Sequence, residues 1–197
     1  MSRTPSRIWL RRYAWFQVAA TWLLLIVGAA VTSNDAGLSE PDWPTGLGYF
    51  NYLAVHANGL FKGRVVFEHG HREVGMVIGL VTLIETVWLL KSTTRPLLRR
   101  FAWILLVGVI VQGGLGGLTV LLKLPPATSI VHGLLAQTFF CLSIATAHLL
   151  STDETTATAG RPLPDARLLA TRRAALVALL ATGGQLLLGL VVRHTVA

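Results

Sequence analysis

Charged residues and cysteine are both scarce in this 197-residue chain. Only 13% of the residues are charged while 53% are hydrophobic, and the mean hydropathy of +0.60 leaves too little polar surface to cover a soluble domain. The one cysteine, Cys141, excludes an intramolecular disulfide, and its place in an apolar run gives it no predicted role. The composition therefore predicts an integral membrane protein.

Five apolar runs are long enough to cross a hydrocarbon core of about 30 Å, which takes about 20 residues of helix. They are Ala14–Val31, Gly70–Leu90, Phe101–Leu121, Ile130–Leu150 and Ala174–Val192. We predict an all-α fold: a four-helix transmembrane bundle in residues 1–150, a cytoplasmic linker in 151–173 and a fifth transmembrane helix in 174–197. Arginines precede the first run, as in a signal peptide, but its length and the later runs favour a retained anchor.

The lysines and arginines are distributed unequally between the two sides of these spans. Four precede the first span, four lie between the second and third, and four lie between the fourth and fifth, whereas the opposite side receives five. The positive-inside rule then places the N-terminus in the cytoplasm of a multi-pass cell-membrane protein. The net charge of +8 is explained by this topology and by contact with anionic lipid of the bilayer, and it gives no indication of nucleic-acid binding.

Two histidines lie just inside the start of different spans. His71 belongs to the second span and His132 to the fourth, so in an alternating bundle both enter from the same membrane face. Helical rise places them at similar depth, and two facing imidazoles between helices can ligate a haem iron. Each histidine could instead be a polar residue hydrogen-bonded to a loop, but the neighbouring Glu68 and Arg72 favour a site. Glu85, an acidic residue within the second span, is assigned no role.

The outer connection Thr32–His69 is rich in aromatic and turn-forming residues. It is interpreted either as an interfacial anchor or as a lid over His71 and His132. In the third span, the glycine-rich segment Gly113–Gly117 favours close approach of a neighbouring helix, and it could equally leave a flat slot for a macrocycle.

Four motifs follow one another along the chain: Val27–Val31 with Ala36–Pro44, Glu68-x-x-His71-Arg72, Gln112–Val120, and His132-x-x-Leu135-Ala136-Gln137. In this order they resemble the motifs of the haem A synthase family. The resemblance covers most of residues 17–150. It implies oxidation of the C8 methyl group of haem O to the formyl group of haem A for terminal oxidases, with His71 and His132 as iron-binding residues and haem O as the substrate.

The resemblance also implies two four-helix halves, the second of which binds a haem b. In this chain Gln185–Thr195 is similar to the opening of that second half, so we expect a missing C-terminal half or a homo-oligomeric partner to be needed. Many family members have a cysteine pair in the outer loop, and this chain has Glu40 at the matching position.

Glu68 is the expected catalytic residue, either accepting a proton or stabilising positive charge at the oxidised carbon. Arg72 could pair with Glu68 or bind a haem propionate. A non-catalytic membrane module that carries haem or passes electrons through it remains the alternative function.

Overall fold

Long apolar stretches form long helices, because only a helix satisfies every backbone polar group within its own segment in a bilayer. The computed structural model describes residues 5–50, 53–155 and 165–195. In chain order its helices are α1 (Pro5–Ser33), α2 (Leu53–Ala57), α3 (Val65–Ser92), α4 (Pro96–Leu121), α5 (Pro126–Thr155) and α6 (Asp165–Thr195). All except α2 are long and apolar enough to span a membrane, which confirms the predicted all-α membrane fold.

The helices extend beyond the apolar runs that predicted them. Proline opens both α4 and α5, as expected where the first helical residue needs no intrahelical N–H donor. Helix α3 begins at Val65, so the outer connection is shorter than the predicted Thr32–His69. Helices α5 and α6 likewise occupy both ends of the predicted linker 151–173, while residues 156–164 lie outside the described part of the chain.

Four helices form a closed ring in the order α1, α3, α4, α5, with α5 returning to α1, and α6 packs along the outside against α5. Helices α3, α4 and α5 alternate in direction because short connections join them. Helix α1 runs antiparallel to α3, since its Gly28 lies beside His71 and its Leu10 packs with Leu89. The first turns of α3 and α5 therefore lie at the same end of the bundle as the last turns of α1 and α4. This arrangement brings His71 and His132 to one end, as predicted.

The bundle is held by small layers of buried apolar side chains rather than by one large core. Near the opposite end, Leu10, Leu89 and Ala102 pack together from α1, α3 and α4. In the middle, Ile78, Leu105 and Phe139 join α3, α4 and α5. The apolar packing fixes the helix positions below the histidine end.

Glu85 lies inside this bundle and is only 2% exposed. Its Oε1 atom has no hydrogen-bond partner among the described residues. The sequence left open whether this carboxyl reaches the interface or a basic flank, and the structure places it in the interior instead.

Candidate functional site

His71 is in the second turn of α3 and faces the backbone of α1 at Gly28. A Cβ atom added at Gly28 would lie 3.0 Å from Cε1 of His71. That distance is too short for comfortable packing, so glycine at this position makes room for the imidazole ring.

His132 has a corresponding environment between α5 and α4. A Cβ atom at Gly116 would lie 3.1 Å from Cε1 of His132. The side-chain amide of Gln112, one turn earlier on α4, donates to the backbone carbonyl of His132 at 3.0 Å, and its nitrogen lies 3.4 Å from the ring Nε2. Each histidine is thus paired with a glycine on the preceding helix of the bundle.

The two imidazoles lie at the same end of the four-helix ring, one on α3 and one on α5. Nδ1 of His71 and Nδ1 of His132 are both buried and have no hydrogen-bond partner among the described residues. A buried polar atom without a partner costs about 1–3 kcal/mol. Buried imidazoles of this kind, set between helices, are able to act as ligands to a metal.

Glu68 lies one turn before Arg72 on α3, and the two side chains pair directly. Arg72 Nη2 donates to Glu68 Oε1 at 2.6 Å. The other oxygen, Oε2, accepts from the backbone N–H of Glu40 at 2.8 Å and from the hydroxyl of Ser39 at 3.0 Å. The buried Glu68 carboxylate is therefore held between its own helix and the outer loop.

Arg72 binds the outer loop through both terminal nitrogens. Nη1 donates to the carbonyl oxygens of Asp42 at 2.8 Å and Thr45 at 3.0 Å, and Nη2 donates to the carbonyl of Glu40 at 2.6 Å. Glu40 Oε2 lies 3.3 Å from Nη1. The planar guanidinium suits this fork of acceptors better than a lysine would, so Arg72 fixes residues 40–45 over the head of α3.

Asp42 organises the turn that follows. Its carboxylate accepts from the Thr45 hydroxyl and from the backbone N–H groups of Leu47 at 2.9 Å and Gly48 at 2.7 Å. Gly48 has a φ of +84°, a conformation that glycine adopts without strain. Burial acts to raise the pKa of Asp42, but these hydrogen bonds outweigh it and hold the pKa below its usual range.

Glu40 is fully buried and links the loop to α3 at a second point. His69 Nδ1 donates to Glu40 Oε1 over 2.6 Å. Burial raises the pKa of the Glu40 carboxyl, against the opposing effects of the His69 hydrogen bond and the Arg72 charge. Glu40 occupies the position at which the resemblance implies a loop cysteine in many family members. In this chain the position therefore forms a non-covalent link between the loop and α3.

Trp43 extends the loop across the end of α4. A Cβ atom at Gly117 would lie only 2.3 Å from Cδ2 of the Trp43 indole, so the ring rests directly on the helix backbone. Gly116 and Gly117 therefore make room for the rings of His132 and Trp43. They do not serve the predicted close approach of a neighbouring helix backbone. The loop is thus attached to α3 and α4 at the histidine end of the bundle, and its role as a lid over His71 and His132 stays a prediction.

The structure places the four predicted site residues at one end of the bundle: Glu68 and Arg72 pair directly on α3, and His71 and His132 lie in the early turns of α3 and α5. Of the two alternatives for Arg72, pairing with Glu68 is present. Sequence reasoning missed the roles of Ser39, Glu40, Asp42, Thr45 and Gln112. Most of their partners are distant in sequence, and the Asp42 carboxylate acts within a turn whose conformation no periodic pattern predicts. The turn-rich loop composition and the Gln112 motif were the signals that could have found them.

The fold and this site together define a polytopic helical membrane protein with an imidazole pair set between its helices at the end where the outer loop attaches. Comparison with known proteins assigns it more narrowly. The chain belongs to the family described as Cytochrome oxidase assembly protein, which matches residues 11–197.

Curated relatives of this chain include three proteins named Heme A synthase. The protein from Symbiobacterium thermophilum is 33% identical over 144 residues, covering 68% of this chain and 43% of the relative. Those from Shewanella oneidensis and Chelativorans sp. are 29% and 28% identical, covering 63% and 77% of this chain. The chain spans about two fifths of the length of these relatives. No solved structure matches the chain.

Proposed function

We propose that this chain is the substrate-binding half of an oxidoreductase that converts the C8 methyl group of haem O to a formyl group for terminal oxidase assembly. The observation that carries the proposal is the pair of buried imidazoles whose Nδ1 atoms have no partner among the described residues. The similarity to proteins named Heme A synthase supports the same chemistry.

The residues at the site fit a haem. His71 and His132 offer iron-binding nitrogens from facing helices, and Gly28 and Gly116 leave the rings room that any side chain would fill. When bound, haem O would supply the iron for the two imidazoles and the methyl group that is oxidised. Removal of electrons from that methyl requires a redox partner, for which we propose a haem b in a C-terminal half outside this chain.

Glu68 is proposed as the catalytic carboxylate. Three donors, from Arg72, Ser39 and Glu40, fix its position, so little reorganisation is needed when charge develops nearby. It would stabilise positive charge at the carbon being oxidised or accept the proton that leaves it. The oxidation removes electrons and protons from the methyl carbon and adds one oxygen atom from water, so the covering loop would limit bulk solvent while admitting that water molecule.

Arg72 is proposed to act mainly by holding the loop closed, since its terminal nitrogens already bind carbonyl groups and Glu68. A contact to a haem propionate would require some of these bonds to be exchanged. This role differs from direct haem binding and can be separated from it by the haem content of Arg72 variants.

The charge distribution supports an N-terminus in the cytoplasm and a site near the outer face of the cell membrane. Helix α6 packs against α5 and reaches α1 through the hydrogen bond from Arg193 to the Thr32 carbonyl, and most of its apolar surface is available to a second half or to another copy of the chain. We propose that one of these completes the enzyme.

The test is Glu68→Gln, which preserves the size and much of the hydrogen bonding of the side chain while removing its charge. In membranes supplied with a C-terminal half of the family, we expect the variant to bind haem O but to form no haem A, measured by pigment extraction. Unchanged haem A production would remove Glu68 from catalysis.

The second candidate function is that of a haem carrier or electron-transfer module, because a haem held by the two buried imidazoles would serve either function. If the completed system binds haem with Glu68 intact and still forms no haem A, the carrier function is the correct one.

A further inference from the structure

A second cluster of ligating side chains lies on the loop side of α3. Nε2 of His56 in the short helix α2 is 2.9 Å from Oε1 of Glu73, and Nε2 of His69 is 3.5 Å from the same oxygen. The ligand atoms of all three residues lie within 4.8 Å of one another. We propose that His56, His69 and Glu73 form a binding site for a divalent transition-metal cation of the zinc class.

This cluster is separate from the imidazole pair. His69 and His71 are two positions apart, so about 200° of helical rotation places them on opposite sides of α3. His71 faces Gly28 of α1, whereas His69 faces the loop and stacks edge-on against His56 with ring centroids 5.4 Å apart. Glu73 follows His69 by four residues and shares its face.

The spacing suits a small cation with nitrogen and oxygen ligands. Zinc binds imidazole nitrogen at about 2.0–2.1 Å in tetrahedral geometry, which separates neighbouring ligand atoms by about 3.4 Å. The separations of 2.9 Å and 3.5 Å bracket that value. Two imidazoles with one carboxylate favour a transition metal over calcium or magnesium, which prefer sets of oxygen ligands.

A supporting shell is already in place. His69 Nδ1 donates to the buried Glu40 carboxylate, which fixes the ring and directs Nε2 towards Glu73. A histidine ligand held by a carboxylate in this way is typical of metal sites. The ring of Phe61 lies 4.1 Å from that of His56 and 5.9 Å from that of His69, so it shields one side of the cluster.

A bound cation would join α2 to the head of α3. Since Glu40 contacts both His69 and Arg72, the site would stabilise the same loop that Arg72 holds against α3. The proposal rests on the cluster itself and is independent of any haem chemistry at His71 and His132.

Equilibrium dialysis of the untagged full chain in detergent against Zn²⁺, with metal quantified by mass spectrometry, tests the site. We expect one Zn²⁺ per wild-type chain and a rise in the thermal unfolding midpoint on its addition. His56→Ala and Glu73→Gln should each weaken binding by more than about tenfold, since losing even an outer partner of a metal ligand costs about that much. Both side chains are partly exposed, so both variants should fold without metal.

His148→Ala is the matched control, because His148 is an exposed histidine on α5 and should leave Zn²⁺ affinity unchanged. The proposal is overturned if the wild-type chain binds no Zn²⁺. It is equally overturned if either ligand variant keeps wild-type affinity, or if His148→Ala weakens binding as much as the ligand variants do.

Discussion

At the scale of single residues, the position of each side chain around α3 decides which groups it contacts. Glu68 and Arg72 face the loop, His69 faces Glu40 and the short helix α2, and His71 faces the bundle interior. Periodicity alone predicts that Glu68 and Arg72 share a face. It does not predict which loop groups complete the site, because Ser39, Glu40 and Asp42 reach α3 only through the folded path of the loop.

Asp42 provides a pH test at this scale. Its pKa is held below the usual range near 4, so its ionised form stabilises the fold above that range, and the contribution is lost as pH falls through the lowered pKa. We expect Asp42→Asn to lower stability at neutral pH by about 1–2 kcal/mol, from lost hydrogen bonds to a charged acceptor. The difference from wild type should shrink in acid, as measured by thermal unfolding across pH.

The exposed Asp35 supplies the control, since Asp35→Asn should change stability little at neutral pH. If the difference in stability between wild type and Asp42→Asn stays constant down to strongly acidic pH, the ionised carboxylate does not stabilise the turn.

At the scale of elements, hydropathy predicted the five spans because burial in lipid demands about 20 apolar residues whatever the tertiary contacts. The same signal could not locate helix ends, since Glu68 and His69 interrupt the apolar pattern near the start of α3 and the polar residues 151–155 continue α5. It also missed α2, whose five residues are too short for any periodic pattern. The sequence pattern singles out the glycines of α4. It does not reveal which rings pack against them, because those rings come from α5 and the loop.

Gly117 and Gly113 form a matched pair on α4. Gly117→Ala should displace the Trp43 indole, because the new Cβ would lie 2.3 Å from it, and should speed hydrogen exchange of the loop amides of Leu47 and Gly48. Gly113→Ala meets no atom within 4 Å and should leave the loop unchanged. It should even stabilise the helix by up to about 1 kcal/mol.

Equal exchange rates in the two alanine variants would show that Trp43 does not seal the end of the bundle. Faster exchange in Gly113→Ala alone would contradict the placement of the loop on α4.

At the scale of the whole molecule, orientation follows from the lysine and arginine distribution rather than from the fold. Exposed Lys62 in the outer loop and exposed Lys91 at the other end of α3 offer matched labelling positions. In a Cys141→Ser background, Lys62→Cys should react with an impermeant maleimide from outside intact cells, and Lys91→Cys only after permeabilisation. Labelling of both from outside would contradict the predicted topology.

The haem-binding claim depends on the closed ring α1, α3, α4, α5, which brings two histidines 61 positions apart in sequence to one end of the bundle. The visible absorption spectrum of the purified protein with haem tests it most directly. His71→Ala and His132→Ala should each lower haem content or shift the spectrum, while His148→Ala, about 24 Å along α5 from His132 by helical rise, should match wild type. Wild-type spectra and haem content in both site variants, or equal losses in all three, would contradict a haem held between His71 and His132.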